Sequence, residues 1–351
     1  MPDLKLLNVD RVPTQGVKEL LDNNIIGTPG KSMVYQHLQA EDKYMSIPQP
    51  FFVSLVRRSK VIATCCFCKR ETSNRGVVGE SYYVRYFTFH PSLRKLGDKY
   101  IERPQEDGVL RREIRSLLIG THLEAKAPHF FYAYIDGGNV RSEAFVKSFG
   151  FEKVGSFVSL VFSRFNPRLS KTIKKLSPDE WGDFKPRLLR FYSDHVLVTD
   201  ENLFYKGNYF VIREQGEIVA GIQANPENWR VDDMPGKAGK VMMNVFPKVR
   251  LLSKIFHPNY RFVTVEGVYY KSGHEKKLAP LLAHALAVNG VYSAVICVDP
   301  TSRLYPVIQS QGLGLVSKLR KPKLVDVMVK SNGVDVADLK GPVYVSAVDV
   351  S

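Results

Sequence analysis

Apolar residues in this chain switch between strand and helix spacing, and the order of the switches occurs twice. From Phe51 to Cys68 the spacing is that of a strand, broken at Arg58, Ser59 and Lys60; Tyr209 to Ala224 behaves alike around Gln215 and Gly216. Each run predicts a β-hairpin. The pieces VRRSKVIA (56–63) and IREQGEIVA (212–220) both place an Arg before the turn and an Ala after the second apolar pair. After the first hairpin come a strand (Tyr82 to Phe89), a helix (Leu110 to Glu124), a strand (Phe130 to Ile135), a helix (Val140 to Phe149) and a strand (Phe157 to Phe162). After the second, the same order runs Phe262 to Tyr270, Leu278 to Val288, Ala294 to Val298, Arg303 to Gln309 and Val325 to Val329. A repeat of this length argues for duplication of one α/β domain.

The copies meet at a polar, basic segment, Asn166 to Lys175, followed by a helix start. Ser177 as cap, Pro178 at the first helical position and Glu180 three residues after the cap form a capping box. The expected domains are therefore residues 1–165 and 166–351, the second opening with a helix over Trp181 to His195.

At 351 residues the chain is long enough for two cores, and 44% hydrophobic with 24% charged residues is the composition of a folded protein. No apolar run approaches the roughly 20 residues that span a bilayer, and the first ten residues lack a signal-peptide block, so the expected location is cytoplasmic. Cys65, Cys66 and Cys68 crowd one strand and Cys297 stands apart, which fits neither a disulfide framework nor a zinc spacing; no metal is expected. The net charge of +15 suits an anionic partner: a nucleotide-bearing cofactor, or a nucleic acid, for which no motif is present.

Asn139 to Phe151, NVRSEAFVKSFGF, resembles the late strand-helix motif of the GNAT superfamily of acyl-CoA-dependent N-acyltransferases. Asn139 can cap the helix and Gly150 can end it in the left-handed conformation. The resemblance implies a mixed α/β fold of two tandem GNAT-like domains, each a mostly antiparallel sheet flanked by helices, with acetyl-CoA as donor. It also implies a loop that wraps the cofactor pyrophosphate at a helix N-terminus, where N–H groups lack intrahelical partners. Gln105, Gly108 and Leu110 fit that loop, with Val109 between them and Arg103 adding charge; Arg94 and Gly97 form a second version. By the same resemblance Phe87, Thr88 and Phe89 lie along the acyl-pantetheine arm, and Asn139 and Ser142 border it. The second copy departs further, with Thr301 in place of the Asn and Pro306 in the helix.

Direct attack of an amine on a thioester needs a base, a polarised carbonyl and a proton for the thiolate. Glu80 and His90 flank the fourth strand and are the candidate bases, with Glu266 in the second copy. The family's usual tyrosine is replaced by Val146 and Ile308, which leaves Tyr134, or Tyr305, as candidate acid. No Ser-His-Asp set is evident in the spacing. The resulting expectation is an N-acetyltransferase acting on a small-molecule or peptide amine. The alternatives are a non-catalytic relative that binds an anionic ligand or nucleic acid, and a two-copy enzyme that transfers an aminoacyl or fatty-acyl group.

Overall fold

The computed structural model describes residues 4–90, 108–319 and 322–350. The chain runs β1 (Leu7–Asp10), α1 (Gln15–Asp22), β2 (Val34–His37), α2 (Ala40–Met45), β3 (Pro50–Arg57), β4 (Lys60–Asn74), β5 (Val77–Phe89), α3 (Val109–Leu118), β6 (His129–Asp136), α4 (Val140–Lys147) and β7 (Glu152–Ser163). It continues through β8 (Ile173–Lys175), α5 (Trp181–Phe191), β9 (Tyr209–Glu214), β10 (Glu217–Asp233), α6 (Gly236–Asn244), β11 (Asn259–Tyr270), α7 (Leu278–Val288), β12 (Ser293–Val298), α8 (Leu304–Ser310), α9 (Leu315–Leu319), β13 (Leu324–Asn332) and α10 (Ala347–Val350).

Two compact units result, each discontinuous in sequence. The first comprises Met1–Asn24, Gln39–Gly155 and Val325–Lys340; the second comprises Ile25–Leu38, Ser156–Leu324 and Gly341–Ser351. In the first unit the strands lie in the order β1-β3-β4-β5-β6-β13, antiparallel except for the parallel pair β5–β6. Leu117 and Leu118 of α3 pack with Phe67, Tyr82 and Phe131 in its core. In the second unit the order is β7-β12-β11-β10-β9-β8, with β2 also on β10, and β11–β12 is the parallel pair. Phe184 and Leu188 of α5 and Leu281, Leu282 and Ala285 of α7 fill that core.

Both hairpins turn through two residues of positive φ, Arg58 and Ser59 in one and Gln215 and Gly216 in the other, the conformation that matches strand twist. The capping box at Ser177 and Glu180 is present. Pro306 falls in the first turn of α8, where its missing N–H has no partner to lose. The helix expected to reach Glu124 stops at Leu118, before Gly120 at φ 89°.

Strand partners differ from the sequential expectation. Val325 to Val329, expected to close the second copy, lies in β13 against β6, with Val327 opposite Tyr134. Phe157 to Phe162, expected to close the first, lies in β7 against β12, with Val161 opposite Val295. Apolar alternation predicts that a strand exists, and adjacency in sequence is a weaker guide to its neighbour. Among the described residues no helix is long and apolar enough to cross a membrane.

Candidate active site

In each unit the parallel pair formed by two long strands, β5–β6 and β11–β12, opens into a wedge. Pairing of β5 with β6 ends at Tyr83 and Tyr132, although β5 runs on to Phe89 and β6 to Asp136. Pairing of β11 with β12 ends at Val265 and Ile296, although β11 runs on to Tyr270. Just past each opening the outer strand bulges, at Tyr86 (φ 58°) and at Gly267 (φ 56°). A bulge turns backbone groups away from the ladder, and here it does so at the wedge.

A chain of ring contacts joins the elements around the first wedge. Phe87 lies 4.9 Å from Phe89 and 5.6 Å from Phe145 on α4, Phe145 lies 5.0 Å from Phe149, and the Arg111 guanidinium sits 4.9 Å over the Phe149 ring. The end of β5, α4 and the start of α3 therefore converge. Phe87 is nevertheless 51% exposed and Phe89 39%, so apolar surface faces outward here. Thr88 points the other way, buried, its Oγ1 donating to Asn24 Oδ1 at 2.7 Å.

Gly108 is the N-cap of α3 in an extended conformation, and no side chain caps that end. A Cβ at Gly108 would meet nothing within 4 Å. The first intrahelical bond runs from Arg112 N to Gly108 O, so the N–H groups of Val109 and Leu110 precede the ladder, in the position that binds anions. Asn139 caps α4, its Oδ1 accepting from Ser142 N at 3.2 Å. Arg103 and Gln105, like Arg94 and Gly97, lie outside the described residues.

The three candidate acid–base groups of the first unit occupy different places on it. His90 follows Phe89 at the exposed end of β5, its N–H donating to Ile62 O at 2.8 Å. Tyr134 stands two residues past the last β6 pairing position, half-buried, its ring 5.0 Å from Tyr83. Glu80 is at the paired end of β5, about 23 Å along the strand from Phe87 at 3.3 Å per residue. There its carboxylate accepts from Tyr82 Oη and Lys126 N and pairs with Lys69 Nζ at 3.0 Å. Burial opposes its ionisation, but the Lys126 N–H, the Lys69 ammonium and the Tyr82 hydroxyl together hold it below the ordinary carboxylate range. The structure does not bring it to the wedge.

The second wedge holds a cavity that residues 343–345 help to line. Val343, Tyr344 and Val345 line it beside Val265, Gly267, Val268 and Cys297. Glu266 does face the wedge, and its two oxygens accept from Gln223 Nε2 at 2.9 Å and Ala347 N at 2.8 Å. Asp299 accepts from Val343 N at 2.9 Å, and Tyr192 and Tyr209 donate to the carbonyls of Val268 and Gly267. Sequence spacing gave no sign of this segment's role, because VYVSAVD reads as one more apolar run.

The fold also assembles a trio that spacing did not suggest. His195 bonds Asp194 Oδ1 through Nδ1 at 2.7 Å and Ser302 Oγ through Nε2 at 2.8 Å. Ser302 is buried, and its Oγ accepts from Leu304 N, so it secures the start of α8. Burial lowers the His195 pKa despite the Asp194 carboxylate, which favours the neutral ring. Among the described residues no group of His, Cys, Asp and Glu is placed to hold a metal ion.

No protein-family model matches the chain, and no curated protein matches it. Among solved structures, Saccharomyces cerevisiae N-myristoyltransferase with bound myristoyl-CoA is similar over 94% of this chain and 83% of its own, at a TM-score of 0.57 and 10% identity. Its complex with myristoyl-CoA and inhibitors gives 0.56 and 11%, over 94% and 81%. A GCN5-related N-acetyltransferase from Sphaerobacter thermophilus is similar over 81% of this chain and 82% of its own, at 0.45 and 14%. Identities this low speak for architecture alone. The chain shares the fold of the N-myristoyltransferase.

Proposed function

We propose that this protein is an acyl-CoA-dependent N-acyltransferase whose thioester donor lies in the wedge of the first unit. The observation that carries the reading is the asymmetry of the two wedges: the first presents exposed Phe87 and Phe89 and an uncapped helix start, while residues 343–345 line the second. In this reading the N–H groups of Val109 and Leu110 receive the pyrophosphate, and Phe87 and Phe145 flank the pantetheine arm. Asn139 and Ser142 border the arm from the start of α4.

Coenzyme A supplies an activated acyl group and a fair leaving group. The chain supplies placement: backbone N–H groups at the bulge beside Phe87 stand near the thioester carbonyl, His90 at the mouth takes the amine proton, and Tyr134 inside protonates the thiolate. Glu80 belongs to the ion pair that anchors β5. Acetyl is the donor that the sequence suggests. The apolar run from Phe89 through Phe87 to Phe145 favours a longer chain as well, and the myristoyl donor of the structurally similar enzyme makes that comparison the informative one.

Calorimetric titration with coenzyme A, acetyl-CoA and myristoyl-CoA tests this, followed by thiol release with a panel of small and peptide amines. One site per chain and thiol release are expected. No binding of any of the three would end the reading, and two sites per chain would end the asymmetry. Binding without thiol release would favour a non-catalytic relative, a reading that the valine at position 146 in place of the family's tyrosine already supports.

A further inference from the structure

The segment from α6 through residue 254 combines two properties that seldom occur together on a solvated surface. Val241, Val245, Val249 and Leu251 are 43%, 49%, 44% and 48% exposed. Between Gly236 and Ile255 the sequence carries Lys237, Lys240, Lys248, Arg250 and Lys254 and no acidic residue. The first four of these cations are exposed, whereas Lys254 reaches back to the Phe165 carbonyl.

The backbone keeps the exposed aliphatic side chains within one short segment. Val245 N bonds Val241 O, Lys248 N bonds Val245 O, Val249 N bonds Phe246 O and Ser253 N bonds Val249 O, so helical turns continue past the end of α6. Val241 and Val245 are four apart at the end of α6, the spacing that keeps side chains on one face, and Val249 and Leu251 stand exposed in the short segment that follows. Beside them Phe246 and Phe256, both half-buried, meet edge to face at 5.0 Å. The aliphatic side chains are left without a protein partner that would bury them.

Exposed aliphatic groups beside uncompensated cations match the chemistry of an interface-lying segment, whose apolar face enters the acyl boundary while its cations meet anionic headgroups. A nucleic acid would engage the cations and leave four aliphatic groups in water. We propose that residues 236–254 form a docking surface for an anionic phospholipid bilayer, peripheral rather than spanning. The inference is independent of the acyl-transfer reading, because it uses a different surface and requires no catalysis.

Flotation of the full-length protein with vesicles of phosphatidylcholine, and with vesicles in which phosphatidylglycerol replaces part of it, tests the proposal. Binding only to the anionic vesicles is expected, weakening as salt is added. Lys248→Gln and Arg250→Gln should each lower partitioning about fivefold. Val249→Ser with Leu251→Ser should lower it about tenfold or more at constant charge. These residues are exposed, so thermal melting of each variant should match the parent. Equal binding to both vesicle types, no binding, or binding that ignores the aliphatic pair would each overturn the proposal. So would a chain that self-associates through this segment and sheds its partner on Val249→Ser without ever floating.

Discussion

Tyr86 on β5 and Gly267 on β11 are counterparts, each at positive φ in a bulge where two residues face one, Cys65 in the first unit and Ile222 in the second. The hairpin pieces align Ala63 with Ala220, which makes Cys65 and Ile222 the same position of the repeat. Backbone form has persisted where the side chains diverged. Gly267→Ala should therefore destabilise the protein by about 1–2 kcal/mol, since an L side chain resists the left-handed region. The new Cβ would also stand 3.2 Å from Leu203 Cδ2 and 3.3 Å from a Tyr209 ring carbon. Denaturant unfolding reads this directly, and an unchanged midpoint would mean that the bulge relaxes at no cost.

Gly108→Asp should separate binding from stability. At an N-cap, Asp accepts from the first-turn N–H groups and suits the positive helix end, so α3 gains up to about 1 kcal/mol. The site is open, since a Cβ meets nothing within 4 Å. The same carboxylate would repel a pyrophosphate placed at those N–H groups. A melting temperature that holds or rises, with coenzyme A affinity reduced tenfold or more, about 1.4 kcal/mol, is the expected pair of results. Undiminished affinity would move the phosphate site elsewhere.

Mild acid should weaken the second unit before carboxylates protonate. Burial holds the imidazoles of His195 and His284 below their ordinary value of 6.5. A depressed folded pKa means that the unfolded chain takes the proton first, so the stability from these neutral rings is complete above about 6.5 and falls as pH drops toward the folded values. Glu80, held below 4.5, shares the sign, but its contribution is lost only as pH falls through its own lower folded value. Urea unfolding from about pH 7.5 to 5 should show a shoulder, and His195→Gln should flatten it. A flat profile in the parent protein would mean that these rings ionise freely when folded.

The sequence disclosed what local chemistry controls. The paired hairpins, the Ser177 capping box and the Asn139 cap needed only short-range patterns, and all three occur. Strand partners depend on distant pairing energies, which is why Val327 faces Tyr134 in the first unit although it follows the elements of the second copy. Site residues divide on the same line. Phe87 and Phe89 are candidates through the family resemblance, whereas Phe145 and Arg111 enter the aromatic chain only once α4 and α3 converge. Glu80 borders the expected strand in sequence, yet the length of β5 carries it to the end away from Phe87. Asp194, His195 and Ser302 lie 107 residues apart at the extreme contact, a separation that no motif spans.

Thiol chemistry offers the sharpest check on direct attack. Burial pushes the Cys65 thiol up to about 12 and the Cys297 thiol up to about 11, and drives Cys66 well above its usual value with Cys68 beside it. The Cys66 and Cys68 sulfurs are 3.9 Å apart, far beyond a disulfide bond of about 2.05 Å. A thiol with a pKa near 12 is about one part in ten thousand thiolate at pH 8, and only the thiolate attacks an acyl carbon or an alkylating reagent. N-ethylmaleimide at pH 8 should therefore leave Cys65, Cys66 and Cys297 unmodified in the folded protein and label them in urea, as read by peptide mass. If that protection holds, none of these three thiols carries the acyl group between thioester and amine, as direct attack by the amine requires. Rapid labelling of Cys297, which lines the second wedge, would instead reopen a two-step route through a protein thioester.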